Sequence, residues 1–530
     1  MAESNILEMR GFMICLHQMN DFLPWCGPGI PAVEMIIREM KEAGLNTLLF
    51  EYETFFPWQG REKQISASNA FSPEEIRQIN ECALTNGVEI IPLVQVFGHM
   101  YHVLIHEQYR DCAESSDAPQ QLCPLAAESF ELAKKLIDDT LALHPHSRYI
   151  HLGGDECGQL GSCPDCAAFV RRYGTGKLYS SYMTKVTQYA LDKGVIPILW
   201  HDIALAYPES LTDFDSRVIF QFWNYGDASH GSVSLPLQKL LNVIPACRII
   251  GSPGARAEMQ HGAIHHSLSL IESNISEIAS EMKRIGAVGT VLTDWPDTGC
   301  SFFDAFYAMR FQGYIAAGGD DIDDFRINYA RNVFGADIPG LPDKLDSIAG
   351  FCTVAPGFQY RKAQSLNRYS RRPYDFSEIC SNIRRDYDLA DGENELYRLI
   401  GKRFAAVSLL RVLKKHLPAV SKNHTEYQWY ILLAEMTILF FGIEIGLRKF
   451  LFVKKYFPEV TPELLEQFQS RTYLQNALDD FDRVKELYRQ LHVRWAAELN
   501  AENCTQEMFP AALKEGIAGI LSDPGSFFAG

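Results

Sequence analysis

From about residue 10 to residue 320, short apolar and β-branched runs alternate with amphipathic segments, the pattern of βα units around a parallel sheet. Eight runs read as strands: Gly11–Leu16, Thr47–Tyr52, Glu89–Val96, Tyr149–Leu152, Ile196–Trp200, Val218–Trp223, Arg248–Gly251 and Gly289–Thr293. Helical patterns lie between most of them. SPEEIRQINECAL (72–84) opens with a Ser N-cap, a Pro at the first helical position and acids in the first turn. AESFELAKKLIDDTLAL (127–143) repeats apolar positions at three- and four-residue spacing. Eight strands with intervening helices close most naturally into a (β/α)8 TIM barrel. The expected fold class is therefore α/β, with the barrel spanning 1–340.

Beyond Pro339 the strand pattern stops. Residues 341–374, with Pro356, Pro373 and several aromatics and arginines, read as a connecting segment. Residues 375–530 read as a C-terminal α-helical domain, with long helices over 393–417 and 473–499. Its role is open between packing on the barrel, covering a pocket and forming a homodimer interface. The most apolar run, Trp429–Leu447, is interrupted by Glu435 and Glu444 and closed by Arg448 and Lys449, which predicts a buried helix and not a membrane span.

Composition changes this picture little. The 530 residues are 47% hydrophobic and 22% charged, an ordinary globular balance. A formal net charge of −17 argues against nucleic acid or an anionic membrane surface as partner, because both would be repelled. The N-terminal MAESNILEMRGF lacks a basic stretch followed by an apolar one, and the thirteen cysteines are odd in number and scattered through core-like segments. Both features fit a reduced, cytoplasmic protein.

The chemistry gathers where the strands end. There stand Glu51 and Glu53, His99, Asp155 and Glu156, Trp200 with His201 and Asp202, Trp223 with Tyr225, and Trp295 with Asp297. Taken singly, each has an ordinary structural explanation: packing for a tryptophan, a satisfied core histidine for His99, a solvated turn for the DE pair. Together, at the C-terminal ends where α/β barrels build their sites, they suit a sugar, whose C–H faces stack on indole while its hydroxyls take hydrogen bonds.

Three stretches carry a resemblance: HLGGDE (151–156), LLFEYETFFPW (48–58) and IIPLVQVFGHM (90–100). They resemble the motifs of glycoside hydrolase family 20, the β-N-acetylhexosaminidases, and in particular its hexosaminidase D branch; the likeness extends more loosely to about residue 320. The resemblance implies an exo-acting, retaining enzyme without cofactor that removes a terminal β-linked N-acetylhexosamine from a glycoconjugate, with N-acetylgalactosamine favoured over N-acetylglucosamine. In such an enzyme the sugar's own acetamido oxygen is the nucleophile and closes an oxazolinium ring. By the same resemblance Glu156 is the general acid and later the base, and Asp155 holds the acetamido N–H. His99 sits in a relay with an upstream carboxylate, Glu51 or Glu53. Arg10 grips sugar hydroxyls, Trp200, Trp223 and Trp295 line the acetamido pocket, and Asp297 takes hydroxyls; Glu53 and Asp202 join the substrate-binding set. The family tyrosine is missing from GSPGARAEM (251–259), where many members carry it, and Tyr225 is its substitute.

Two competing functions remain. One is a barrel glycosidase using two opposed carboxylates, Glu156 with Asp202 or Asp294. The other is a catalytically silent carbohydrate-binding protein on the same barrel. Cys157, Cys163 and Cys166 in CGQLGSCPDC leave two readings open: a tight loop of reduced thiols, or half of a structural zinc knuckle whose fourth ligand would come from elsewhere. No catalytic metal is expected.

Overall fold

The computed structural model describes residues 6–16, 29–226, 233–256, 263–295, 302–355, 375–389, 392–457, 459–495, 509–524 and 527. Eight parallel strands close into a barrel in the order β1-β2-β3-β4-β5-β6-β7-β9. They are β1 Met9–Cys15, β2 Thr47–Glu51, β3 Glu89–Leu93, β4 Tyr149–His151, β5 Ile196–Trp200, β6 Ile219–Trp223, β7 Ile249–Ser252 and β9 Gly289–Leu292. Every strand expected from the sequence forms. Their ends shift by up to three residues, most at β3, where the ladder stops at Leu93 and Val94–Val96 belong to the loop above. The remaining short strands, β8 Ala263–His265 and β10 Gly350–Phe351, pair antiparallel outside the barrel.

The strands are apolar on both faces because both are covered. On β1, Met9, Met13 and Cys15 point into the barrel with Leu49, Ile91, Leu93, Ile198, Trp200, Ile250 and Val291. Phe12, Ile14 and Leu16 point outward against the helices. The helix Pro73–Thr85 begins as the sequence implies: Ser72 accepts from Glu75 N–H, and the Glu75 side chain returns to the Ser72 N–H.

The C-terminal region contains the helices Phe376–Leu389, Gly392–His416, His424–Tyr456, Ser470–Trp495 and Ala511–Ser522. His424–Tyr456 is long and apolar enough to cross a membrane by length and composition, yet 89% of its most apolar window is buried inside the fold. Its acids are paired: Glu426 with Arg310, Glu435 with Lys414 and Arg483, and Glu444 with Arg448. Of the connecting stretch, Leu341–Ile348 form a helix, and 356–374 lie outside the described residues. Apolar packing is continuous from the barrel's outer helices, through Tyr329 and Phe334, to Tyr427 and Tyr430. Arg310 joins the layers, bonding Glu426 and Glu39 together.

Candidate active site

β4 ends at His151, and the chain then turns sharply. Gly153 and Gly154 take left-handed backbone at φ 64° and 88°, and Glu156 does so at φ 47°. At Gly153 a side chain would collide with Gln95, since an added Cβ falls 1.9 Å from its Oε1. Glu156 has no such freedom, and a non-glycine residue held there stores strain of roughly 1–2 kcal/mol. A specific bond supports it: Asp202, just past β5, accepts from the Glu156 N–H at 2.8 Å. His99 and Glu53 are also left-handed, at φ 52° and 46°. Three of the five non-glycine residues in this conformation among those described are thus candidate site residues.

On an extended strand, adjacent carboxylates point to opposite faces. The left-handed turn changes that. Asp155 Oδ2 lies 3.3 Å and Glu156 Oε2 3.5 Å from the same atom, His99 Nε2. The acids differ in setting: the Asp155 side chain is 12% exposed and that of Glu156 44%. Burial works to raise the Asp155 carboxyl, but the charge and hydrogen bond of His99 outweigh it and hold Asp155 below the usual carboxylate range. Asp202 goes the other way. Burial, and then the negative charge of Asp155, push it up to about 7.

An aromatic wall stands beside the acids. Trp200 packs on His151 at 4.4 Å between ring centroids and on Trp295 at 5.8 Å. Trp295 Nε1 donates to the Tyr225 hydroxyl at 2.6 Å, and Tyr225 stacks on Trp223 at 5.5 Å. The Tyr225 oxygen accepts there, so its own proton is donated in another direction. Several buried polar atoms in this region have no hydrogen-bond partner among the described residues: Asp155 Oδ1, Asp202 Oδ1, Trp200 Nε1, His151 Nε2 and Gln95 Oε1. Buried polar atoms left open in this way suit a polar ligand or ordered water.

The structure therefore brings His99, Asp155, Glu156, Trp200, Asp202, Trp223, Tyr225 and Trp295 to the C-terminal end of the barrel. Arg10 is a correction. It is the second residue of β1, at the opposite end, and its guanidinium donates to the Gly44 and Leu7 carbonyls. It lies on the outward face of β1, tying the strand's start to the turn before β2, and does not face the site. Of the two carboxylates considered for His99, Glu53 is buried and faces another histidine, with its Oε1 3.4 Å from His102 Nδ1. Glu51 accepts from Gln95 and from the Cys15 thiol. Asp297 lies outside the described residues.

The cysteine expectation is also corrected. Cys157 is buried apart from Cys163 and Cys166, with its thiol on the Gly154 and Asp155 carbonyls. The other two meet Cys123 and Glu114 instead. Sequence reasoning also missed Arg256, past β7, whose guanidinium makes a fully buried two-point pair with Asp294, past β9. Nothing local in GSPGARAEM signals a partner 38 residues away.

Adjacent acids on one histidine, beside an aromatic wall in a barrel mouth, suit a sugar held by its faces and protonated at one oxygen. Fold and site together define the class of barrel glycoside hydrolases. Comparison with known proteins narrows this. Residues 49–242 match the catalytic domain of glycosyl hydrolase family 20. Bovine hexosaminidase D (Bos taurus) is 30% identical over 284 residues, 51% of this chain and 80% of that protein. Human hexosaminidase D (Homo sapiens) is 37% identical over 186 residues, 34% of this chain and 38% of the human one. The chain belongs to glycosyl hydrolase family 20 and is similar to hexosaminidase D. A β-N-acetylhexosaminidase structure from Bacteroides fragilis aligns at 16% identity and a TM-score of 0.47, over 62% of this chain and 70% of that one.

Proposed function

We propose that the protein is an exo-acting, retaining β-N-acetylhexosaminidase that works by substrate-assisted catalysis. The observation that carries this reading is the convergence of a half-exposed Glu156 and a buried, anionic Asp155 on one nitrogen of His99. Two carboxyls on the same side of a histidine do not flank a bond from opposite faces, as a two-carboxylate mechanism needs. The other candidates for a second carboxylate are engaged: Asp202 holds the Glu156 backbone and Asp294 is locked on Arg256. The nucleophile is then supplied by the substrate.

Glu156 gives its proton to the departing glycosidic oxygen while the acetamido oxygen attacks the anomeric carbon from the other face. The C–O bond to the leaving group breaks as the oxazolinium ring closes, and the leaving group departs as an alcohol. Asp155, kept ionised by His99, accepts the acetamido N–H and offsets the positive charge that builds on the ring. Glu156, now a carboxylate, takes a proton from water, which opens the ring with net retention. Trp200, Trp223 and Trp295 enclose the acetamido methyl and sugar face, and the Tyr225 hydroxyl donates to the acetamido oxygen. A preference for N-acetylgalactosamine over N-acetylglucosamine rests on the likeness to hexosaminidase D.

A thiazoline analogue of the oxazolinium tests this reading. Substrate assistance predicts competitive inhibition at concentrations at least about a hundredfold below the KM of the matching aryl glycoside. Inhibition no tighter than that by the free sugar would favour the two-carboxylate alternative.

A further inference from the structure

Glu114, Cys123, Cys163 and Cys166 come together outside the catalytic constellation, with their four ligand atoms all within 4.8 Å of one another. Two loops build the cluster. In the loop after β3, Ala113 and Leu122 form an antiparallel bridge, flanked by hydrogen bonds from Glu114 N to Gln121 O and from Cys123 N to Cys112 O. That narrow hairpin sets Glu114 beside Cys123. The loop after β4 contributes Cys163 and Cys166 at the start of the helix Pro164–Tyr173, where Cys163 Sγ accepts from the Cys166 N–H at 3.3 Å.

The spacing is that of metal ligands. A tetrahedron with metal–sulfur bonds of about 2.3 Å has sulfur–sulfur edges of about 3.8 Å. Cys123 Sγ lies 3.8 Å from Cys163 Sγ and 3.6 Å from Cys166 Sγ. Disulfide sulfurs would be about 2 Å apart. Glu114 provides the second, independent observation. It is 3% exposed, and although its Oε1 accepts from Cys163 N–H at 3.1 Å, its Oε2 has no hydrogen-bond partner among the described residues. A buried carboxylate oxygen left open among three thiols is costly without a cation.

We propose that Glu114, Cys123, Cys163 and Cys166 bind a structural zinc ion that fastens the loop after β3 to the loop after β4. Three thiolates select a soft ion over magnesium or calcium, and a carboxylate in the fourth position closes the site against substrate. Leu178, Leu160, Phe169 and Val170 pack around the cluster, in which Cys123 and Cys166 are buried and Cys163 is half-buried. The fastened loops carry His99 on one side and Asp155 and Glu156 on the other. Gln159 strengthens the link, taking Gln121 Oε1 at its N–H and giving its amide to the Ala118 carbonyl. The zinc thus holds the acids against their histidine without touching substrate.

The test is metal content of the full chain, purified in reducing buffer without chelator and measured by plasma mass spectrometry beside Cys157→Ser and Cys163→Ser/Cys166→Ser. Zinc near one per chain in wild type and Cys157→Ser, and lower by about tenfold or more in the double variant, supports the site. Cobalt exchanged into wild type must then show thiolate-to-cobalt charge-transfer absorption, a readout that survives even if the double variant does not fold. Negligible zinc with three free thiols, a mapped disulfide from Cys123 to Cys163 or Cys166, or iron in place of zinc overturns the proposal. So does zinc that leaves with Cys157.

Discussion

Asp202→Asn separates two jobs that Asp202 holds at once. Its oxygen accepts from the Glu156 N–H at 2.8 Å, and asparagine keeps an oxygen for that bond. Its charge is another matter, because burial and the neighbouring Asp155 push the carboxyl up to about 7. An acid whose folded pKa exceeds its unfolded value keeps its proton in the folded state while the unfolded chain has already lost it. Stability therefore falls as pH rises from about 4 to about 7 and stays reduced above that. The rise from 3.8 to about 7 is worth roughly 4 kcal/mol at ~1.4 kcal/mol per pH unit. Asparagine carries no proton to lose. The variant is expected to match wild type near pH 4 and to become the more stable of the two as pH approaches 8. Denaturant midpoints at half-unit steps across this range read the difference directly. A gap that is constant with pH, or that widens towards acid, would refute the reasoning. Asp202→Ala removes the support from the Glu156 turn as well, and kcat is expected to fall roughly tenfold to a hundredfold with KM less affected.

Three further predictions follow from other contacts. In Gly98→Ala the new Cβ would lie 2.4 Å from the Asp155 carbonyl oxygen, forcing the His99 loop away from the acids; kcat should fall sharply while far-ultraviolet circular dichroism stays native. Arg256→Met leaves Asp294 buried and unpaired, and thermal unfolding should report a loss of ~3–5 kcal/mol, much of it recovered in Arg256→Met/Asp294→Leu. Arg10→Ala should leave the KM for an aryl glycoside unchanged and lower only stability, since its guanidinium bonds carbonyls at the far end of the barrel; a raised KM would restore it to the site.

What the sequence revealed is governed by range. The eight strands were legible because burial on both faces writes an apolar run at each one, and HLGGDE marks its own turn through two glycines. Trp200, Trp223 and Trp295 were legible as strand-end residues, since a parallel barrel sends every C-terminal strand end to one mouth. The same rule argues against Arg10, which opens its strand. The contacts that escaped join loops distant in sequence: Glu114 and Cys123 with Cys163 and Cys166, Arg256 with Asp294, Glu53 with His102. No periodicity encodes such a pairing. Nor does residue order reveal the left-handed backbone at Glu156, which turns two neighbouring acids towards one nitrogen.

The most direct test of the account is hydrolysis of aryl β-N-acetylgalactosaminide and β-N-acetylglucosaminide by wild type, Glu156→Gln and Asp155→Asn. Wild type should turn over at least one of them, with kcat/KM lower by about a hundredfold to ten-thousandfold in each variant and the deficit at Glu156 shrinking as the leaving group becomes more acidic. Turnover of neither sugar by wild type, or turnover indifferent to Glu156, would contradict it and leave a carbohydrate-binding barrel in its place.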